Sequence, residues 1–99
     1  MSYSVYVRGA AERDVAEAQR WYEQQQAGLA AEFNAEFSST LDRLADTPFL
    51  YPQRYREIRR AVLRRLPFLV WYRVEGAKIT VLACTHGKAN PSELPSRLR

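Results

Sequence analysis

The 99-residue chain has one cysteine, one methionine, four glycines and a single histidine, and only two of its cations, Lys78 and Lys88, are lysines. Each scarcity excludes something. A lone Cys84 permits no internal disulfide, and with one histidine, His86, it cannot build a Cys/His metal cluster. That economy fits a reducing compartment, so a cytoplasmic location is expected. The longest apolar run, Leu66 to Tyr72, is seven residues and contains Pro67, far short of the roughly 20 that span a bilayer. The N-terminal stretch MSYSVYVRG has no basic segment leading into an apolar one, so no secretory leader is read there. About 100 residues suffice for one domain and not for a two-domain cofactor enzyme; residues 1–99 are read as a single domain with no cofactor. With few glycines and prolines, 46% hydrophobic and 12% aromatic residues, the composition is that of a chain with a packed core.

The charge that is present is divided along the chain. The formal net charge is +4, but residues 1–49 hold Arg8, Arg13, Arg20 and Arg43 against eight carboxylates, a sum of −4. Residues 50–99 hold eleven cations against Glu57, Glu75 and Glu93, a sum of +8. Thirteen of the fifteen cations are arginines, whose planar donor fork matches phosphate and carboxylate. The second half therefore points to an anionic partner.

The hydrophobic pattern orders the elements as β-α-α-β-β-β. Tyr3, Val5 and Val7 alternate with Ser4, Tyr6 and Arg8, the period of a half-buried strand. Ala11, Val15, Ala18 and Trp21 with Tyr22 mark an amphipathic helix to about Gln26, with acids crowding its first turns. After Gly28, the positions Leu29, Phe33, Phe37, Leu41 and Leu44 form a second helical stripe that Pro48 stops. The short break predicts an antiparallel helical hairpin. Residues 49–52 read as a loop, and three strands follow at about 57–65, 68–74 and 78–85. Gly76 in Glu75-Gly76-Ala77-Lys78 supplies the positive φ of a hairpin turn. In the last strand Ile79, Val81 and Ala83 oppose Thr80, Leu82 and Cys84. The two final strands are apolar on both faces, which places them centrally, under the helical hairpin. The expected fold is α+β, a helical hairpin packed on a small, mainly antiparallel sheet. Two prolines in Asn90–Pro95 preclude a long helix in the tail.

The residues that stand out chemically are arginines: Arg54, Arg56, Arg59, Arg60, Arg64 and Arg65 within twelve positions. On a regular strand Arg60 and Arg64 share a face with Val62, and Arg59 and Arg65 share the other with Ala61 and Leu63. They serve either as charges that guard an edge strand or as a surface for a phosphate or an acidic partner. His86 ends the last strand, either as a hydrogen-bonded strand-end residue or as the one group that titrates near neutrality. No nucleophile elbow, glycine-rich phosphate loop or Ser-His-Asp set is present. The acids fall on helix surfaces, and periodicity places at least one member of Trp21-Tyr22 and of Trp71-Tyr72 in the core.

Taken together, Ala11-Glu12-Arg13-Asp14-Val15, Trp21-Tyr22-Glu23, Phe33, Leu41-x-x-Leu44, Ile58-Arg59-Arg60, Leu63-Arg64-Arg65-Leu66-Pro67-Phe68, Val70-x-Tyr72-Arg73-Val74 and Val81 to Lys88 with Asn90-Pro91 resemble the RelE/ParE superfamily of small bacterial type II toxins. Two activities divide that superfamily. RelE-like members are ribosome-dependent mRNA endonucleases, and under that resemblance Arg64, Arg65, His86 and Lys88 would be the catalytic set. No tyrosine follows Tyr72, and a lysine-rich helix face is missing. His86 matches better the histidine before the Gly-Arg-Arg-Asp-Pro run of ParE-like members, here Gly87-Lys88-Ala89-Asn90-Pro91. The resemblance thus implies a ParE-like poison of DNA gyrase that binds without hydrolysing RNA, with Arg59, Arg60, Arg64, Arg65 and Lys88 contacting target or antitoxin. It further implies a small cognate antitoxin with an acidic C-terminal segment, no metal and no membrane. The alternatives are a nuclease acting on ribosome and mRNA, and a degenerate, non-toxic member that only binds its antitoxin.

Overall fold

A computed structural model describes residues 3–99; Met1 and Ser2, on which the reading of a leaderless N-terminus partly rests, lie outside them. The order is β1 (Ser4–Val7), α1 (Gly9–Gln25), α2 (Leu29–Asp46), β2 (Gln53–Tyr55), β3 (Ile58–Val62), β4 (Phe68–Glu75), β5 (Lys78–His86) and, after a 3-10 turn at Pro91–Glu93, the short α3 (Leu94–Arg97). The α+β class and the helical hairpin on a mainly antiparallel sheet are as expected. The sheet runs β1-β5-β4-β3-β2, with β1 parallel to β5 and the other pairs antiparallel. No described helix is long and apolar enough to cross a membrane.

The hairpin forms because the turn between the helices and the end of α2 are satisfied locally. Gly28 takes φ +95° at the start of α2, a conformation cheap only for glycine. The Glu23 carboxylate reaches back from α1 to accept the Gly28 and Ala30 N–H groups at 3.2 Å, placing a negative charge at the positive end of α2. At the other end Thr47 Oγ1 donates to the Arg43 carbonyl, and Pro48 forbids continuation.

Ala11, Val15, Ala18 and Tyr22 of α1 and Phe33, Phe37 and Leu44 of α2 pack on Ala61, Val70, Tyr72, Ile79, Val81 and Cys84 of the sheet. Phe33 and Leu44 are fully buried, each contributing about 1.5–3 kcal/mol through removal of apolar surface from water. Tyr22 is the core member of its pair, and Trp21 is 53% exposed; both Trp71 and Tyr72 are buried.

Four details depart from the sequence-based expectation. The strand read over 57–65 ends at Val62, so Arg64 and Arg65 lie in a loop closed by the Leu63 N–H to Phe68 carbonyl bond at 3.0 Å; Pro67, without an N–H, cannot extend the ladder. The stretch beyond the predicted loop adds the three-residue β2, which covers β3, so β2 and not β3 is the outer strand. Trp71 faces Ala83 while Tyr72 faces Val81, leaving Leu82 as an extra residue in β5. This bulge reverses the alternation: Cys84 joins Ile79 and Val81 beneath the helices, and Ala83 joins Leu82 on the opposite face. That opposite face is itself covered, because Leu94 and Leu98 of the tail pack on Ile58, Trp71, Leu82 and Ala83.

The tail is held by charge. Arg8 donates from Nε to the Leu82 carbonyl at 2.8 Å and from Nη1 and Nη2 to the Arg99 and Arg97 carbonyls at 2.7 Å. Asp14 accepts from Arg97 Nη2 and from the Cys84 backbone N–H.

Candidate functional site

The arginine ladder divides into parts with different surroundings. Arg54 on β2 is exposed. Arg56, at the β2–β3 turn, takes φ +52°, a left-handed conformation uncommon for a residue with a side chain, and its guanidinium lies 5.5 Å from the Tyr55 ring. Arg59 turns to the helix side, where Nη1 donates to the Tyr51 carbonyl at 2.6 Å and, more weakly, to that of Phe49 at 3.4 Å. Its guanidinium also lies 5.1 Å from the Phe49 ring. Arg60, the next residue, projects from the other face and stacks 5.9 Å from the centre of Trp71. Its Nε is buried and has no hydrogen-bond partner among the described residues.

Arg64 and Arg65 are exposed in the β3–β4 loop and line a cleft of about 320 Å³ with Glu32, Glu36 and Arg43 of α2. The Glu36 carboxylate accepts the Arg65 backbone N–H at 2.6 Å, so the loop is anchored through its main chain and both guanidinium groups stay available. Among the described residues Arg43 donates to Tyr51, Ser39 and Thr40 oxygens.

His86 and Lys88 sit on the turn after β5, both exposed. The Lys88 N–H donates to His86 Nδ1 at 3.0 Å, which makes that nitrogen the acceptor and leaves Nε2 as the proton-bearing atom of the neutral ring. The ring meets Phe68 edge-on at 5.2 Å. Gly87 N–H donates to the Pro67 carbonyl at 2.7 Å, and a Cβ at position 87 would stand 3.4 Å from that oxygen. The two cation-bearing loops are thereby joined at one end of the sheet. Their side chains diverge: Arg64 and Arg65 face the α2 cleft, whereas His86 lines a separate hollow against α1. No hydrogen bond or ion pair joins the Arg64, Arg65, His86 and Lys88 side chains among the described residues.

This arrangement is a cationic rim on a small helix-backed sheet. The family model of the ParE toxin of type II toxin-antitoxin system, parDE, matches residues 5–91. The chain belongs to the ParE toxin family. Among solved structures it is similar to the chromosomal ParDE toxin–antitoxin system of P. aeruginosa, at 19% identity and TM-score 0.77, covering 86% of this chain and 96% of that one. It is also similar to the RelBE2 toxin–antitoxin complex of Mycobacterium tuberculosis, at 21% identity and TM-score 0.59 over 87% and 99% of the two chains. A double-arginine mutant of the E. coli toxin RelE in the free state shares the fold at 16% identity and TM-score 0.63, over 99% and 95%. No curated protein matches.

For a ParE-family chain the chemical inventory of the rim is narrow. Burial pushes the Cys84 thiol from 9.0 up to about 12, with Asp14 adding to the rise, so it remains a neutral thiol and a poor nucleophile. The Tyr72 hydroxyl, also raised to about 12 by burial, donates to the Pro48 carbonyl at 2.6 Å within the core. Among the described residues no three His, Cys, Asp or Glu side chains gather as metal ligands. Sequence reasoning missed the cleft partners Glu36 and Arg43, whose helical spacing gave no sign that a distant loop folds onto them.

Proposed function

We propose that this ParE-family toxin acts by binding DNA gyrase, and that a cognate antitoxin with an acidic C-terminal segment neutralises it by covering the same cationic rim, in the cytoplasm. The observation that carries the proposal is the chemistry of the rim. Arg60, Arg64, Arg65 and Lys88 have no carboxylate ion pair among the described residues, and His86 is the one imidazole near them. General acid–base cleavage of a phosphodiester calls for groups that both take and return a proton. Unpaired guanidinium groups instead suit charge-assisted contacts to phosphate or carboxylate. Arg59 is assigned to holding the loop after α2, since its own chain's carbonyls already occupy it.

An antitoxin partner is supported by the toxin–antitoxin systems among the similar structures. An acidic segment would meet Arg43, Arg64 and Arg65 in the α2 cleft, where three guanidinium groups outnumber the Glu32 and Glu36 carboxylates. The second reading, a ribosome-dependent mRNA endonuclease, draws on the Gly87–Pro67 link that brings the His86–Lys88 turn beside the arginine loop.

Expression without the antitoxin, following DNA damage and translation together, separates the two. The proposal expects a DNA-break response before protein synthesis falls, lost on replacing Arg60, Arg64 and Arg65 by Ala, and retained in His86→Ala. Immediate translational arrest with mRNA cut inside codons and no DNA breaks contradicts it. Absence of both effects indicates a chain that only binds its antitoxin.

A further inference from the structure

The hollow against α1 has a character opposite to that of the cationic rim. Its volume is about 400 Å³, and α1 contributes Asp14, Glu17, Ala18 and Trp21 to its wall. These are positions i, i+3, i+4 and i+7, one stripe of a helix. Phe68 and His86 form the facing wall, and Arg97 stands at one end.

The two carboxylates differ in what they already hold. Asp14 is occupied by the Cys84 N–H and by Arg97. Glu17 is exposed and makes no hydrogen bond or ion pair among the described residues. Four residues along, the Trp21 indole is 53% exposed, an aromatic face one helical turn from a free carboxylate. An aromatic face attracts a cation through its quadrupole, and a carboxylate does so directly. An anion would be repelled by Glu17, the carboxylate without a compensating partner among the described residues, and a purely apolar group would cover Glu17 without satisfying it.

The geometry points to this hollow as a receptor for an arginine side chain presented by a protein partner. Guanidinium fits all three features: its plane stacks on the indole, its donor fork meets Glu17, and its methylene stem lies along Ala18 and Phe68. The chain supplies a precedent in Arg97, whose Nη2 lies 2.5 Å from both Asp14 oxygens at the end of the same hollow. The lining of the hollow holds two carboxylates, Asp14 and Glu17, against the single guanidinium of Arg97, a balance that attracts a basic segment. Glu17 and Trp21 lie outside the arginine set of the rim, so the inference stands whichever target the rim engages.

The test is a titration of the intact chain with N-acetyl-arginine amide, followed by NMR at the Trp21 indole N–H. N-acetyl-citrulline amide, a neutral near-isostere, is the control. The indole of Trp71, bonded to Thr85 Oγ1 at 2.9 Å in the interior, reports that each variant is folded. The expected result is a saturable shift of the Trp21 signal by the arginine probe, with citrulline weaker by about fivefold or more. Glu17→Gln loses it, and Arg54→Ala, at an exposed position on β2, keeps it. No saturable shift, equal response to citrulline, or an unchanged response in folded Glu17→Gln overturns the inference.

Discussion

Arg59 and Arg64 are chemically identical and five positions apart, yet the structure assigns them different work, so replacing each with alanine should have different consequences. Arg59→Ala removes a cation whose Nη1 serves the Tyr51 carbonyl at 2.6 Å and which covers the Phe49 ring at 5.1 Å. A hydrogen bond from a charged donor contributes about 1.5–3 kcal/mol, and a partly exposed cation–π contact about 0.5–1 kcal/mol. Because the guanidinium is half-buried, solvent screens part of this, and a net loss of about 2–3 kcal/mol is expected. For a domain of this size each kcal/mol lowers Tm by about 4–8 °C, so the midpoint should fall by roughly 8–24 °C. Arg64 is exposed and its side chain has no hydrogen bond or ion pair among the described residues, so Arg64→Ala should stay within about 0.5 kcal/mol of the parent. Thermal unfolding followed by circular dichroism measures both. An Arg59→Ala midpoint equal to that of Arg64→Ala would refute the division of the ladder and return Arg59 to the binding surface.

Two further outcomes concern the core and the tail. Leu98→Ala should cost about 2–3 kcal/mol, the low end for a buried leucine because the short tail can collapse; increased quenching of Trp71 fluorescence by acrylamide is the readout, and unchanged quenching would mean the tail does not shield that face. Stability should also fall in alkali. The Tyr72 hydroxyl and Cys84 thiol are raised to about 12 by burial, so the unfolded chain releases these protons first. Their contribution is complete below the unfolded thiol's 9.0 and is lost as pH rises toward about 12, each group adding a slope of about 1.4 kcal/mol per pH unit once its unfolded form ionises. Urea unfolding across that window checks it, and Tyr72→Phe should flatten the part above pH 10.0, the ordinary tyrosine value.

Long periodic segments were legible in the sequence because each one's pattern is set by its own contacts. The Phe33, Phe37 and Leu44 stripe and the apolar faces of β4 are of that kind, and Gly76 was read correctly as a positive-φ turn residue, at +59°. Features fixed by distant partners were not legible. The three residues of β2 are too few to show a period, and their pairing with β3 follows from a turn at Arg56 and not from hydrophobicity. The Leu82 bulge inserts one residue without any glycine or proline to mark it, so alternation alone put Ala83 and Cys84 on the wrong faces. Leu94 and Leu98 form no periodic pattern in a proline-containing tail, and the Arg8 and Asp14 contacts that hold this tail lie more than 80 positions away in sequence. The same limit applied to the rim: the residue types were visible, but the engagement of Arg59, the stacking of Arg60 on Trp71 and the release of Arg64 and Arg65 into a loop depended on the strand ending at Val62.

The proposed binding of gyrase by the cationic rim is tested most directly with purified components. Gyrase, plasmid DNA and the chain are combined over a range of salt, and protein-linked linear DNA is measured. The expected result is that the chain accumulates cleaved complexes, that the effect weakens steeply as salt rises, and that the folded variant lacking Arg60, Arg64 and Arg65 produces none. Unaltered gyrase activity at every salt concentration, alongside codon-internal cleavage of mRNA when the chain is added to translating ribosomes, would contradict it.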